Sequence, residues 1–496
     1  MGGKVEEKEY SQKEYLDFQT KLYQELGVLK QLIKRESFDT DPLMMGAELE
    51  MYLVDNEGYV SPNNQQLLDE IDDDQFQPEL NRYNLELNLS PVSIKGRPFT
   101  KLKNEIRQKV DKLQQLASQY ETRIVPVGIL PTLNESFFSS DYITDCPRYH
   151  MLSRQLLNLK GDKFEVDIDG DEPVRFCCDD VTVEGANTSF QVHLMVGKNN
   201  FANIYNAAQL TLSIVTALSA NSPILLGNRV WDETRIALFK QSIDIRCDDK
   251  IEYREPARVT YGHGWVRKDA WQLFAESVSL YPVLFPQVSE EDPLKIFNQG
   301  KNPQLSELSL HMGTLWPWNR AVYGKQGHGH IRMEFRAIPA GPTSLDMCAN
   351  AAFAIGLAVG LQQNIDDLIS VIPFRFAEYN FYRAAKHGVK ARILWQHKDE
   401  IRLVERNIMD VAKELLPVAH EGLKSLGVDD EERIKFLNII QKRIDTSITG
   451  ARWQKETLKY FEQKYEKDQA CREMVKLYID NTESCVPVAE WPRPWV

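Results

Sequence analysis

Met45-Gly46-Ala47-Glu48-Leu49-Glu50-Met51-Tyr52-Leu53-Val54 sets two carboxylates, two residues apart, into an otherwise apolar β-strand. Side chains alternate faces along a strand, so Glu48 and Glu50 share one face. Three distant segments repeat the pattern: Tyr83-Asn84-Leu85-Glu86-Leu87-Asn88-Leu89, Phe190-Gln191-Val192-His193-Leu194-Met195-Val196 and His330-Ile331-Arg332-Met333-Glu334-Phe335-Arg336-Ala337-Ile338. Glu86 and Asn88 share a face, as do Gln191 and His193, and Arg332, Glu334 and Arg336. The other face of each strand is almost wholly apolar. An antiparallel sheet with one solvated face alternates in the same way. Such faces usually carry Lys, Ser and Thr, and these four polar faces carry none. Like charges two apart repel unless a cation sits between them. Hard cations such as Mg²⁺ take carboxylate oxygens and keep positions open for phosphate. The four strands are therefore expected to be neighbours in one curved antiparallel sheet whose polar face holds metal ions and a charged substrate.

The rest of the composition is ordinary for a soluble globular protein: 496 residues, 43% hydrophobic and 26% charged. A net charge of −13 argues against a general nucleic-acid binder. The seven cysteines, Cys146, Cys177, Cys178, Cys247, Cys348, Cys471 and Cys485, include no C-x-x-C pair, which leaves zinc and thioredoxin-type readings weak. Their odd number and scatter fit reduced thiols in a cytoplasm. Glu6-Glu7-Lys8-Glu9 stands where a signal peptide would need an apolar run. The most apolar stretch, 349–361, is too short to span a bilayer and reads as a buried helix. No membrane partner is expected.

Apolar residues at three- and four-residue steps predict helices over 8–37, 99–121 and 203–219, the last stopped by Asn221-Ser222-Pro223. Residues 123–130 read as a short strand. Residues 244–317 mix Pro, Gly and aromatics and read as long loops over the sheet. Helical periodicity dominates beyond Thr343. The organisation expected is an N-terminal helix over 1–40, a catalytic domain over 41–375 and a helical C-terminal region over 376–496 packed on it. Strands with large helical insertions indicate an α+β fold with helices on the outer face of the sheet. Neither G-x-G-x-x-G nor G-x-x-x-x-G-K-[ST] occurs, so Rossmann and P-loop nucleotide sites are not supported.

In this order the motifs resemble the glutamate–cysteine ligase superfamily, in its carboxylate–amine ligase branch, with a glutamine-synthetase-like catalytic sheet. Gly46-Ala47-Glu48-Leu49-Glu50 resembles its G-x-E-x-E strand. Glu79 to Pro91 resembles its second acidic motif, where one acid precedes another by seven positions. Pro147-Arg148-Tyr149 resembles an R-Y motif before a helix, and Thr188 to His193 a Q-V-[HN] strand. Asn221 to Pro223, Arg235 and Asp244-Ile245-Arg246 resemble the helix end and basic segment that follow. Arg332 to Arg336 resembles the E-x-R strand, and Tyr382 to Gly388 a late R-A-A-x-x-G element.

The resemblance implies a reaction in which ATP phosphorylates a substrate carboxylate and an amine displaces phosphate to leave an amide. In the family's usual case this joins glutamate and cysteine, a step of glutathione biosynthesis. ATP is then a co-substrate and Mg²⁺ or Mn²⁺ the cofactor. Phosphoryl transfer asks a protein for positioning and charge neutralisation. Glu48, Glu50, Glu79, Glu86, His193 and Glu334 are the candidate metal ligands. Arg336 and Arg332, with Glu334, are candidates for the catalytic step, since forked donors suit phosphate. Arg148, Tyr149, Gln191, Arg235 and Arg246 are candidate substrate contacts. Blander readings stand beside these: His193 as a core histidine, Glu79 as a loop acid, Arg332 as a solvated strand residue, Arg235 in a surface salt bridge. His328 and His330 read as loop residues and Cys177-Cys178 as part of an apolar strand. A metal-dependent amide or phosphate hydrolase would use the same acidic face without nucleotide. A catalytically silent binding relative would have no reason to keep four carboxylates facing one another.

Overall fold

The computed structural model describes residues 9–246, 256–397 and 400–496. The segment Glu6 to Lys8, on which the absence of a leader was read, and Cys247 lie outside the described residues. Eight strands form the main sheet: β1 (Met44–Asp55), β2 (Phe76–Pro78), β3 (Asn84–Asn88), β4 (Val92–Ser93), β5 (Thr122–Val125), β6 (Phe190–Met195), β7 (Asn319–Gly324) and β8 (His330–Phe335). Their spatial order is β7-β8-β6-β1-β3-β2, with β4 and β5 also paired to β1, and every pairing is antiparallel. The four strands singled out by their polar faces are thus consecutive neighbours: β8, β6, β1, β3. Met45, Ala47, Leu49 and Met51 of β1, Leu85 and Leu87 of β3, and Ile331, Met333 and Phe335 of β8 are buried on the apolar face.

Helices pack around the sheet. They are α1 (Gln12–Lys34), α2 (Pro98–Ala117), α3 (Pro147–Lys160), α4 (Thr182–Gly185), α5 (Phe201–Ser219), α6 (Arg235–Ser242), α7 (Ser344–Gly360), α8 (Phe374–His387), α9 (Ile408–Ser425), α10 (Asp430–Thr446), α11 (Gly450–Phe461) and α12 (Lys467–Glu483). A Ser11–Glu14 capping box starts α1, and the Thr343 hydroxyl caps α7 at the Asp346 amide. Nearly every residue of α5 and α7 is buried, as expected of central helices that are apolar all round. They pack on each other, and α7 also packs on α2, α9, α10 and β6. Among the described residues no single helix is long and apolar enough to cross a membrane.

Three expectations change. The 244–317 region carries three helices, Trp271–Leu280, Pro293–Asn298 and Ser306–Met312, and all three pack on α1. Their short length and Pro-rich surroundings hide the period. The 123–130 strand stops at Val125, because Pro126 cannot donate to a ladder. The C-terminal region includes a hairpin, Arg392–Gln396 with Leu403–Asn407, beside its helices. His328 lies in the turn between β7 and β8, whereas His330 begins β8. Cys178 is buried and Cys177 exposed in the strand Val174–Cys178, and the described cysteines, Cys146, Cys177, Cys178, Cys348, Cys471 and Cys485, are all free thiols.

Candidate active site

The sheet register decides which polar side chains meet. Glu334 of β8 lies opposite His193 of β6, and His193 opposite Gly46 of β1. Glu48 lies between Gln191 and Asn88, and Glu50 lies opposite Glu86. The polar face therefore holds two adjoining triads. Glu48, His193 and Glu334 form one, Glu50, Glu79 and Glu86 the other, each with one donor atom per residue within 4.8 Å of the rest. All six candidate metal ligands are in these triads.

The two triads differ in charge balance. Glu334 is fully buried. Arg320 donates to it with Nε at 2.9 Å and Nη2 at 3.0 Å, and Arg336 donates to it from the other side. Burial alone would raise its pKa, but the two guanidinium groups outweigh that and hold it well below the usual carboxylate range. Arg332 Nε donates to His193 Nδ1 at 3.2 Å, which leaves Nε2–H of a neutral ring to donate to Glu48 Oε1 at 3.1 Å. Burial opposes the Glu48 charge, and His193 tips its pKa below normal.

The second triad is only partly compensated. The Ser189 amide and Gln191 Nε2 both donate to Glu50 at 2.6 Å, yet burial keeps its pKa raised, with Arg235 and Arg336 offsetting only part. Burial and the charges of Glu50 and Glu86 push Glu79 well above normal. Burial, then Glu48 and Glu50, take Glu86 to about 8. Glu50 thus raises the pKa of both Glu79 and Glu86, and the three carboxylates offer an all-oxygen donor set of the kind that hard divalent ions take.

The substrate candidates divide. Gln191 bridges Glu50 and Arg336. Tyr149 donates to Pro78 O at 2.9 Å, and its pKa is raised by burial and by the charges of Glu79 and Glu86, so it stands beside the second triad. Arg235 is buried, donates to Glu233 at 3.0 Å and lines the same cavity as Glu50, Glu79 and Arg336, so the surface salt-bridge reading falls. Arg148 does not line that cavity, and its guanidinium lies beside Gly313. Arg246 does not reach it either. α6 ends at Ser242, and Asp244 takes both Nε (2.8 Å) and Nη2 (2.5 Å) of a half-exposed Arg246.

Two participants were not read from the sequence. Arg320 sits on β7, opposite Glu334. Gly324, Gly327 and Gly329 ahead of β8 are the signal that could have found it, since a glycine-rich turn before a strand implies a partner strand before the turn. Glu184 of α4 lines the cavity too. Four residues of helix have no period to read.

No curated protein matches the sequence. Among solved structures, the glutamate–cysteine ligase of Francisella tularensis in complex with AMP has a TM-score of 0.51 at 13% identity, covering 90% of this chain and 100% of that one. The bifunctional glutathione synthetase of Pasteurella multocida has a TM-score of 0.45 at 12% identity, covering 93% of this chain and 55% of that one. The Pup ligase PafA in complex with Pup has a TM-score of 0.37 at 9% identity, covering 88% and 72%. The sequence profile of glutamate–cysteine ligase family 2 matches residues 44–477, from β1 into α12. The chain belongs to glutamate–cysteine ligase family 2, and so to the ATP-dependent carbon–nitrogen ligases.

Proposed function

We propose that the protein joins the carboxylate of an amino acid, most simply the side-chain carboxylate of glutamate, to an amine such as that of cysteine, at the expense of ATP and with Mg²⁺ or Mn²⁺ bound. The observation that carries this reading is the pair of acidic triads, one balanced by arginines and one not. Glu50, Glu79 and Glu86 would hold one divalent ion. Glu48, His193 and Glu334 are the donors for a second, reached as Arg336 leaves Glu334. Bound there, the metal supplies neutralisation of phosphate charge.

The chain's own groups then do the positioning. A donor carboxylate oxygen attacks the γ-phosphorus of ATP, and the bond to the β–γ bridging oxygen breaks to release ADP. Arg336 and Arg332 point from β8 onto the polar face where the transferring phosphoryl charge would lie, and their forked donors suit its equatorial oxygens. The amine nitrogen next attacks the acyl carbon, the carbon–oxygen bond to phosphate breaks, and the amine loses its proton. Arg320 keeps Glu334 in place while Arg336 moves. A coupled ADP-release assay with Mg²⁺ and ATP over a panel of acids and amines tests the reading. ADP release that needs both an acid and an amine is the expected result. ATP-independent hydrolysis of amides or phosphate esters would overturn it.

A further inference from the structure

Arg235 stands between two carboxylates. Its ion pair among the described residues is with Glu233, whose Oε1 accepts from Nη1 at 3.0 Å. On its other side it lines the cavity together with Glu50. Burial raises the Glu50 pKa, and Arg235 is the strongest of the charges that work against this. The remaining guanidinium contacts are weak. Nη1 and Nη2 reach Ala337 O and Arg336 O at 3.4 Å, and Nε is buried without a partner. Glu233 is thus what decides where the guanidinium points.

Glu233 cannot follow Arg235 if the guanidinium turns. It is fully buried and does not line the cavity. Its amide donates to Ala385 O of α8 at 2.8 Å, and its Oε2 accepts the Asn221 amide at 2.9 Å. Asn221 is fixed in turn from the C-terminal helices. Its Nδ2 donates to Tyr478 Oη of α12 at 2.8 Å, and its Oδ1 accepts from Gln454 Nε2 of α11 at 2.9 Å. Asp232, one residue earlier, pairs with Lys455 of α11 at 2.7 Å. The Arg235 stem is confined as well, since a Cβ on Gly128 would sit 2.9 Å from its Cδ. Only the guanidinium end is left to choose between the two carboxylates.

A guanidinium and a divalent ion compete for the same carboxylate oxygens. Breaking a buried ion pair leaves the surviving charge in need of another partner. For Arg235 that partner is Glu50, whose charge it already offsets. Resting on the metal-binding half of the ligase reading above, we propose that Glu233 is a positioning residue for the second triad. It holds Arg235 back from Glu50 and so keeps Glu50 open to the ion. It acts through Arg235 alone. The C-terminal helices, by fixing Asn221 and Asp232, brace the loop that carries it.

The test is titration of the full chain, without nucleotide, with Mg²⁺ by calorimetry and with Mn²⁺ by electron paramagnetic resonance. Glu233→Gln should weaken ion binding by about 10–100-fold, the usual loss when a group behind a metal ligand is removed. The double variant Glu233→Gln/Arg235→Met lacks the competing guanidinium too, and its ion affinity should return to that of the parent or exceed it. A general loss of packing would give no such rescue. Unchanged affinity in Glu233→Gln would overturn the proposal, as would a double variant that binds as weakly as the single one. Should Glu233→Gln fail to melt cooperatively, Glu233→Asp keeps the charge and retracts it by one methylene. It should show a smaller loss of ion affinity, and a parent-like value there would overturn the proposal. A parent chain that binds neither ion would overturn the metal-binding half of the ligase reading itself, and the proposal with it.

Discussion

Glu334 shows what a single residue can be made to do. A fully buried carboxylate needs its charge compensated, and Arg320 and Arg336 flank Glu334 to do so. Arg320→Met should therefore cost about 3–5 kcal/mol and lower Tm sharply, because it uncovers a buried charge. Arg336 has a different weight, since it is the group that would turn to the transferring phosphoryl. Arg336→Lys should lower kcat on the order of 10²-fold, more than it weakens ATP binding, because lysine keeps charge but loses the fork. An unchanged kcat with a raised KM for the amino acid would make Arg336 a substrate contact. Glu79 lies at the other extreme, repelled by Glu50 and Glu86. Without metal, Glu79→Gln should be at least as stable as the parent by calorimetry. The Tm rise that Mg²⁺ induces in the parent should disappear in the variant.

Elements are held by contacts with their own chemistry. α1 docks on the helix Ser306–Met312 through Glu25 and Glu307, two fully buried carboxyl groups set against each other. Glu25 accepts the Leu308 amide at 2.7 Å, and Glu307 pairs with Lys21 at 3.1 Å. Burial and then Glu307 raise the Glu25 pKa from 4.5 to about 9, so the folded state keeps a proton that the unfolded chain releases above about pH 4.5. Stability from this group is full below that pH and declines as pH rises toward 9. Glu307 shifts the other way and matters only at acid pH. Melting curves from pH 5 to 9.5 should fall less steeply for Glu25→Gln than for the parent. Equal slopes would show that the pair shares no proton. Between α7 and α9 the contact is backbone on backbone. A Cβ on Gly422 would sit 2.1 Å from Gly356 O, and one on Gly356 2.6 Å from Ala419 O. Gly422→Ala should thus cost about 1–3 kcal/mol by denaturant titration.

At the scale of the whole molecule, the C-terminal helices are tied into the catalytic core. Arg443 of α10 and Asp346 of α7 form a buried ion pair at 2.7 Å, and Tyr478 of α12 donates to Pro126 O at 2.9 Å, just beyond β5. α9 lies against α7, which itself touches β6. An organisation of 41–375 and 376–496 as separate units would have to divide this layer. One calorimetric unfolding transition is expected for the full chain. Two resolved transitions would mean that the C-terminal region melts on its own.

Alternation alone determined the four strands, the sharing of faces within each and five of the six candidate metal ligands, all but the loop residue Glu79, because a period of two is a local property of the backbone. The motif order along the chain carried the family. The buried helices 203–219 and 349–361 were equally legible, since length and continuous apolarity are also local. Register was not. That Glu50 faces Glu86 while His193 faces Glu334 depends on how strands from distant segments align, and this alignment divides six candidate ligands into one balanced triad and one strained one. Arg320 and Glu184 escaped the sequence reading for the same reason. The role of each is set by what lies across the sheet or the cavity from it. Arg246 shows the converse, a basic residue in the right stretch of sequence that a neighbouring aspartate and the end of α6 keep outside. Sequence sets which side chains a strand presents to a face, whereas burial and charge compensation among them arise only when the sheet closes.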